Sequence, residues 1–340
     1  MLCSENYTYR LIITGQLGLG HKISQATPQL AAVGVFDGAN GNHAVAVANG
    51  ASHACALSEA GTVYCWGNNA QGQLGRGNFV GESLVPVQVD SANIDGTLGK
   101  KAVGIASASY GTCAIMDDGR IRCWGMSHTT GDGTGIDRAT SVAVNPTYFD
   151  GTAGKRAVAI SGNYHSMCAV TDTGLVRCWG DNANGELGNN DNPNDSMTPV
   201  ATDTGIIDGT LIKAVSISVG SNSVCAGLNS GTLACWGNNG NDQIGDDTGI
   251  HRFLPTVVNQ DAIDGSLGSK AIAVAVGFRH ACAVVDSQRL YCWGSHQQSQ
   301  LGTGLSAAHT KPTIVLEVGD QPSFLNSAAA QNETFSITGP

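Results

Sequence analysis

Charge is scarce in this chain. Asp, Glu, Lys and Arg together make up 13% of its 340 residues, the formal net charge is −10, and no stretch gathers Lys and Arg. Nucleic acids and anionic membranes both require concentrated basic residues, so neither is expected as a partner. Long apolar runs are missing too, and nothing approaches the roughly 18 to 20 residues that a membrane-spanning helix needs, so no membrane insertion is expected. The opening Met-Leu-Cys-Ser-Glu-Asn has neither the basic nor the apolar region of a signal peptide, which places any export signal outside this chain. Methionine is thin at 5 residues, and no segment sustains a helical stripe. Cys-x2-Cys spacing, the usual sign of a structural zinc site, is absent.

Glycine, at 46 residues, is abundant, as suits short strands joined by tight turns. The dominant pattern is the run Cys55-Ala-Leu-Ser-Glu-Ala-Gly-Thr-Val-Tyr-Cys65, which leads directly into Trp66 and Gly67. Cys113 and Cys123, Cys168 and Cys178, Cys225 and Cys235, and Cys282 and Cys292 repeat its ten-residue separation. Each second cysteine opens a Cys-Trp-Gly triplet, and those triplets hold all 5 tryptophans.

Between the paired cysteines, apolar residues alternate around a short polar break, which is the pattern of a β-hairpin. Four breaks (Glu59-Ala-Gly61, Asp117-Asp-Gly119, Asp172-Thr-Gly174, Asn229-Ser-Gly231) put glycine third, where a three-residue loop calls for a left-handed residue. The fifth, Asp286-Ser-Gln288, does not. An even separation centred on such a loop sets the two cysteines opposite each other, within reach of a disulfide. Ten buried free thiols are the alternative, because cysteine is a common core residue. Its pairing in every unit favours five cross-strand bonds, and hence an oxidising compartment, outside the cell or at its surface. Cys3 is left over, unpaired or partnered outside this chain.

Successive Cys-Trp-Gly triplets lie 55 to 58 residues apart, so the chain reads as one repeat array rather than two domains. Its six modules fall near 1–54, 55–112, 113–167, 168–224, 225–281 and 282–340. After the second cysteine comes Gly72-Gln-Leu-Gly75, repeated as Gly185-Glu-Leu-Gly188, Asp242-Gln-Ile-Gly245 and Ser299-Gln-Leu-Gly302, and foreshadowed by Gly15-Gln-Leu-Gly18. The unit after Cys123 diverges to Thr130-Gly-Asp-Gly133. Prolines follow at Pro28, Pro86, Pro146, Pro199, Pro255 and Pro312, each read as the start of a strand. Asp-Gly turns come next, at Asp37, Asp95, Asp150, Asp208 and Asp264, and a strand such as Ala214 to Val219 then closes the unit. The chain begins inside one module's hairpin and ends on Thr334 to Thr338, which matches a closing strand. Either the ends meet in one composite blade, or they link one subunit to the next, or the chain belongs to a longer array.

The string from His53 to Gly75 resembles the repeat of the regulator of chromosome condensation family in its cysteine-paired bacterial form, and the resemblance runs roughly over residues 15–320. It implies an all-β fold, a β-propeller of four-stranded blades, six- or seven-bladed. Members include small-GTPase exchange factors, a secreted β-lactamase inhibitor, a plant ultraviolet receptor and bacterial surface proteins, so the fold alone does not assign a function. The receptor's repeats carry Gly-Trp-Arg-His-Thr. Here the nearest match is Gly277-Phe-Arg-His-Ala281, with phenylalanine for the tryptophan, so the five repeated tryptophans read as blade packing rather than as a chromophore.

No catalytic constellation assembles from the sequence, and no enzyme activity, cofactor or metal is expected. His53 and His280 read as framework histidines. The Asn/Asp clusters Asn189 to Asp195 and Asp242 to Asp247 lack an EF-hand pattern and read as turns. The candidate binding surface is the pair of positions three and four residues before each first cysteine: Ala51/Ser52, Ser109/Tyr110, Tyr164/His165, Ser221/Asn222 and Phe278/Arg279. Tyr110, Tyr164, His165, Asn222, Phe278 and Arg279 suit a protein partner, whose contacts favour aromatic residues and arginine. A second repeated position carries His43, Lys101, Arg156, Lys213, Lys270 and Glu333, and reads as solvated strand-edge charge. The expected function is a secreted or surface-displayed binding protein. Two alternatives are a structural subunit that self-associates head to tail through its chain ends, and an enzyme inhibitor resembling the propeller-type β-lactamase inhibitor.

Overall fold

A computed structural model describes residues 2–3, 15–25, 27, 29–31, 35–36, 42–191, 193–304 and 307–316. Within them, hairpin-forming sequence becomes five four-stranded antiparallel sheets. The first runs β3 (Ala44–Asn49), β4 (His53–Ser58), β5 (Val63–Gly67), β6 (Ser83–Gln88), after a two-stranded pair formed by β1 (Leu2–Cys3) and β2 (Gln29–Leu30). The second runs β7 (Ala102–Ser107), β8 (Gly111–Met116), β9 (Ile121–Gly125), β10 (Arg138–Ala143). The third holds β11 (Ala157–Asn163), β12 (Ser166–Thr171), β13 (Val176–Gly180) and β14 (Ser196–Ala201). The fourth is β15 (Ala214–Val219), β16 (Ser223–Leu228), β17 (Leu233–Gly237), β18 (Arg252–Val257), and the fifth β19 (Ala271–Val276), β20 (His280–Val285), β21 (Leu290–Gly294), β22 (His309–Ile314). One short helix, α1 (Ser127–Thr130), follows β9. The chain divides into two compact units, one taking in Met1–Met167 and Ser196–Pro199 and the other Cys168–Asp195 and Val200–Glu333.

The strand that closes each sequence module is thus the first strand of the next sheet, joined to the cysteine hairpin that follows it. In that hairpin Cys55 faces Cys65, Cys113 faces Cys123, Cys225 faces Cys235 and Cys282 faces Cys292. All five pairs are bonded, with Cα atoms 4.0 to 4.1 Å apart. The hairpin turns show why glycine recurs there, since Gly61, Gly119, Gly174 and Gly231 have φ of +81° to +87°. The fifth turn keeps the same left-handed conformation without glycine, with Gln288 at φ +65°.

The prolines do not start strands. Pro86, Pro199, Pro255 and Pro312 stand fourth in β6, β14, β18 and β22, and Pro146 lies past the end of β10. In β6 the register steps from Gly67↔Ser83 to Cys65↔Val87, and Pro86 sits in that irregularity, where no ladder N–H is required. Pro28 and the chain ends at residues 4–14 and 317–340, including the proposed end-to-end strand pairing, lie outside the described residues.

Tryptophan ties consecutive modules together within each unit. Its indole N–H donates to the second residue of the Gly-Gln-Leu-Gly loop of the preceding module: Trp66 to the Gln16 carbonyl at 2.8 Å, Trp124 to Gln73 at 3.0 Å, Trp236 to Glu186 at 2.8 Å and Trp293 to Gln243 at 3.0 Å. The loop is a tight turn, with Gly75 N donating to Gly72 O at 2.9 Å, and its leucine is buried. Its last glycine lies flat on the same indole, so that a Cβ on Gly75 would stand 2.9 Å from Trp124 and one on Gly188 2.8 Å from Trp236. All five indoles are completely buried, and those of Trp66, Trp124, Trp236 and Trp293 place their N–H on a main-chain carbonyl.

Candidate functional site: the loops ahead of the cysteine hairpins

The backbone of the variable positions is fixed. In every described sheet with a recorded bond, the second position of the pair offers its carbonyl to the residue after Cys-Trp-Gly: Ser52 to Asn68 N, Tyr110 to Met126 N, Asn222 to Asn238 N and Arg279 to Ser295 N, at 2.7 to 2.9 Å. The triplet glycine makes room for this carbonyl, since a Cβ on Gly125 would fall 2.3 Å from the Tyr110 oxygen. Consecutive loops are also linked, with Ala51 N donating to Ser109 O at 3.0 Å and Ser109 N to Tyr164 O at 2.8 Å. In these four sheets side chains therefore vary on a shared backbone frame.

Three sequence-predicted residues come together in the first unit. Tyr164 stacks on His165, with centroids 4.3 Å apart and planes 26° from parallel, and Tyr110 approaches His165 at 6.0 Å. Tyr164 is 47% exposed, His165 and Tyr110 are half-buried, and Ser109 beside them is buried. In the second unit Phe278, 49% exposed, lies under the Arg279 guanidinium at 5.2 Å. Asn222 is half-buried in the loop that begins at Gly220, where a Cβ would fall 2.5 Å from the Gly277 carbonyl ahead of Phe278.

A fourth ring, not anticipated from the sequence, belongs to this cluster: His128 lies 6.4 Å from His165. It is carried by α1, where Met126-Ser-His-Thr-Thr130 replaces the Asn68-Asn69, Asp181-Asn182, Asn238-Asn239 and Ser295-His296 starts of the other loops, so the divergence of this module was the available signal. In the regular loops the second asparagine is structural, with Asn69, Asn182 and Asn239 each accepting through Oδ1 from the N–H five residues on, at 2.9 to 3.1 Å.

The cations before the closing strands, Lys101, Arg156, Lys213 and Lys270, lie over the hairpin glycines of the preceding sheet, although Arg156 and Lys270, like His43, stay exposed. A Cβ on Gly119 would meet the Arg156 side chain at 2.7 Å, and one on Gly174 or Gly231 would meet Lys213 at 2.4 Å or Lys270 at 2.7 Å. The next N–H bonds the hairpin glycine of the preceding sheet, as Ala102 to Gly61 O at 2.9 Å and Ala271 to Gly231 O at 2.8 Å. These cations cover the hairpin glycines with their stems. His43 pairs with Glu59 at 3.1 Å, and Glu333 lies outside the described residues.

The Asn/Asp clusters are organised by their own hydrogen bonds. Asn182 Nδ2 donates to the Asp191 and Asn194 carbonyls, and Asn194 Nδ2 to Asp191 Oδ1. Asp246 Oδ2 takes Arg252 at 2.5 Å, and burial together with Asp246 and Asp247 pushes the Asp242 carboxyl up. His53 is a framework residue: it is buried, its Nε2 lies 2.8 Å from Thr112 Oγ1 of the neighbouring sheet, and burial lowers its pKa from 6.5 to about 4. Burial also lowers His280.

The family model of the RCC1-like domain matches residues 13–339. The chain belongs to the RCC1-like family, and its fold is the β-propeller of four-stranded blades that the repeat implies. It is 30% identical over 274 residues to human E3 ubiquitin-protein ligase HERC2, an alignment covering 80% of this chain and 5% of that protein. It is 28% identical to the mitochondrial RCC1 domain-containing protein RUG3 of Arabidopsis thaliana (88% of this chain, 64% of that protein) and 27% identical to the ultraviolet-B receptor UVR8 of the same plant (88% and 63%). The chain thus spans less than two thirds of the length of each of these relatives. Among solved structures, human WBSCR16 superposes with a TM-score of 0.73 at 17% identity, covering 89% of this chain and 74% of that one. Yeast RCC1 (Prp20), solved bound to Kap60, gives 0.55 at 20% identity, covering 93% and 83%.

Proposed function

We propose that this chain is a recognition module that holds a protein partner on the loops ahead of its cysteine hairpins, in an oxidising compartment outside the cell or at its surface, and that it performs no chemistry itself. The observation that carries the proposal is the contrast within the loops. Ser52, Tyr110, Asn222 and Arg279 make the same main-chain hydrogen bond while their side chains differ, Tyr164 and His165 stack beside Tyr110, and Phe278 lies under Arg279. A rigid scaffold that varies only its side chains spends little entropy on binding, and large planar residues contribute most per contact. Partner binding by relatives of this fold supports the reading, yeast RCC1 having been solved with Kap60 bound. Five cross-strand disulfides support the compartment.

A photo-crosslinking residue at Tyr110 or Tyr164, compared with one at Lys101 or Lys213, tests the reading. Crosslinks confined to the tyrosine positions, and a captured partner weakened by about 1 kcal/mol or more on Tyr164→Ala or Arg279→Ala, are expected. Equal crosslinking from the lysine positions moves the site to the Asp-Gly end of the sheets.

A further inference from the structure

The loop carrying Tyr164 differs from its equivalents in ways that blade packing does not require. Tyr164 has φ +48°, in the left-handed region, whereas Ala51, Ser109, Ser221 and Phe278 at the same position have no such conformation. Asp90, Asn190, Asp242, Asp247, Gln288 and Ser299 also hold positive φ, but Tyr164 is the one aromatic residue among the described residues that does. Asn163 supports the conformation: it replaces the Gly50, Ala108, Gly220 and Gly277 of the other modules, it is buried, and its Oδ1 accepts the Tyr164 N–H at 2.7 Å. Tyr164 is 47% exposed and stacks on His165 at 4.3 Å, and Tyr110 and His128 approach the same imidazole, four rings in all. The carboxylate beside the group is Asp137, whose Oδ1 accepts the N–H of Ser127, the neighbour of His128, at 2.9 Å, while the adjacent Arg138 is paired with Asp132. The chain as a whole carries −10.

An exposed tyrosine face, reinforced from behind by a second ring and set in a negative field, attracts a planar cation more than an anion or a neutral apolar group. We infer that the Tyr110/His128/Tyr164/His165 cluster is the subsite for an arginine side chain of a basic partner segment, with the guanidinium stacked on Tyr164. This names the partner chemistry for the loop surface proposed above and rests on that reading. Arginine is favoured over lysine because its flat, weakly hydrated head stacks on a ring.

The probes are an acetylated nonapeptide bearing three arginines, its lysine counterpart, and its citrulline counterpart, which keeps the planar shape without the charge. Each is titrated calorimetrically into the whole chain, alongside a panel of neutral oligosaccharides. The arginine peptide should bind best, the citrulline peptide should lose most of the affinity, and higher salt should weaken the arginine complex. Tyr164→Ala should weaken it by about 3- to 30-fold, the span of a cation–π contact between exposed and desolvated limits, while Tyr164→Phe keeps the ring and most of the affinity. An unchanged melting temperature for Tyr164→Ala guards against a folding artefact.

No arginine-peptide binding at millimolar concentration, equal binding of the citrulline peptide, full affinity in Tyr164→Ala, or preference for an oligosaccharide each overturns the inference. Loss of the crosslinked protein partner in Tyr164→Ala without any arginine preference leaves the loop surface standing and removes only the arginine subsite.

Discussion

Trp124 donates its indole N–H to the main-chain carbonyl of Gln73, 3.0 Å away and 51 residues earlier in the chain. One bond of this kind links a sheet to the loop of the module before it, and its repetition at Trp66, Trp236 and Trp293 makes the repeat cooperative. Stability in such arrays is carried by nearest-neighbour interfaces, so the indole is where neighbouring modules are coupled. Trp124→Phe retains most of the apolar area but leaves the buried Gln73 carbonyl without its donor. We expect a loss of about 1 to 3 kcal/mol in urea unfolding, and a value near zero would show that the bond adds nothing beyond packing.

Gly75 lies against the same ring, and a Cβ there would stand 2.9 Å from Trp124 Cδ1 while the backbone stays at φ +61°. Both the clash and the left-handed conformation act against Gly75→Ala, which should cost about 2 kcal/mol or more. Gly99, also at positive φ (+80°) but with nothing within 4 Å of its Cβ position, is the control. Substituting it by alanine should cost only the backbone term, about 1 kcal/mol.

Gln288 offers the reverse experiment. It holds φ +65° at the turn position where Gly61, Gly119, Gly174 and Gly231 stand in the other hairpins. Gln288→Gly relieves the left-handed penalty, partly offset by the extra freedom of glycine in the unfolded chain, so a gain of about 0.5 to 1 kcal/mol is expected. A destabilised variant would mean that the glutamine side chain holds the turn.

Each disulfide closes a ten-residue separation, for which the chain-entropy relation gives about 2 to 3 kcal/mol. Replacing Cys225 and Cys235 together by alanine should lower stability by about that amount, and non-reducing peptide mapping of the wild type should return only local pairs. Bonds between different hairpins would contradict the register that sets each pair face to face.

That register was legible in the sequence because it depends on two local rules, the period of two along a strand and the even separation about a three-residue loop. The tryptophans were legible as packing residues, but not their acceptors, because a bond from Trp236 to the Glu186 carbonyl joins residues 50 apart through a main-chain atom that has no residue signature. Proline misled for a related reason. Its lack of an N–H fits a strand start and a register irregularity equally well, and only the pairing of β5 with β6 shows that Pro86 occupies the second. The cations at Lys213 and Lys270 looked like solvent-facing charge, yet their aliphatic stems lie over Gly174 and Gly231, a contact between modules that periodicity within one module does not reveal. At the candidate site Tyr164 and His165 stood out by composition. The left-handed turn that stacks them, and His128 arriving from α1, depend on tertiary placement.

The last prediction concerns acid. His53 is buried, and burial holds its pKa at about 4 against 6.5 for the free side chain, because charging the ring there would forfeit its hydration. The folded protein therefore keeps His53 neutral at pH values where the unfolded chain already binds a proton. Stability is full above pH 6.5, falls as the pH drops from 6.5 towards 4, and loses nothing further from this group below about pH 4, a total of about 3 kcal/mol. His280, also lowered by burial, acts in the same direction. The lowered carboxylates act in a different window: Asp150 is held near 2 mainly by its bond from the Thr152 hydroxyl, and its contribution is lost only as the pH falls from 3.8 towards that value. Between pH 7 and pH 4.5 the urea midpoint reports the imidazoles together with the raised carboxyls of Glu186 and Asp242, which act in the opposite direction, so only the difference between wild type and a His53 variant isolates this ring. His53→Gln keeps a polar group facing Thr112 without a titrating one, so its midpoint should fall less steeply over this range than that of the wild type, even if it starts lower. Parallel slopes in the two proteins would show that the proton is taken up elsewhere and that His53 does not set the acid limit of the fold.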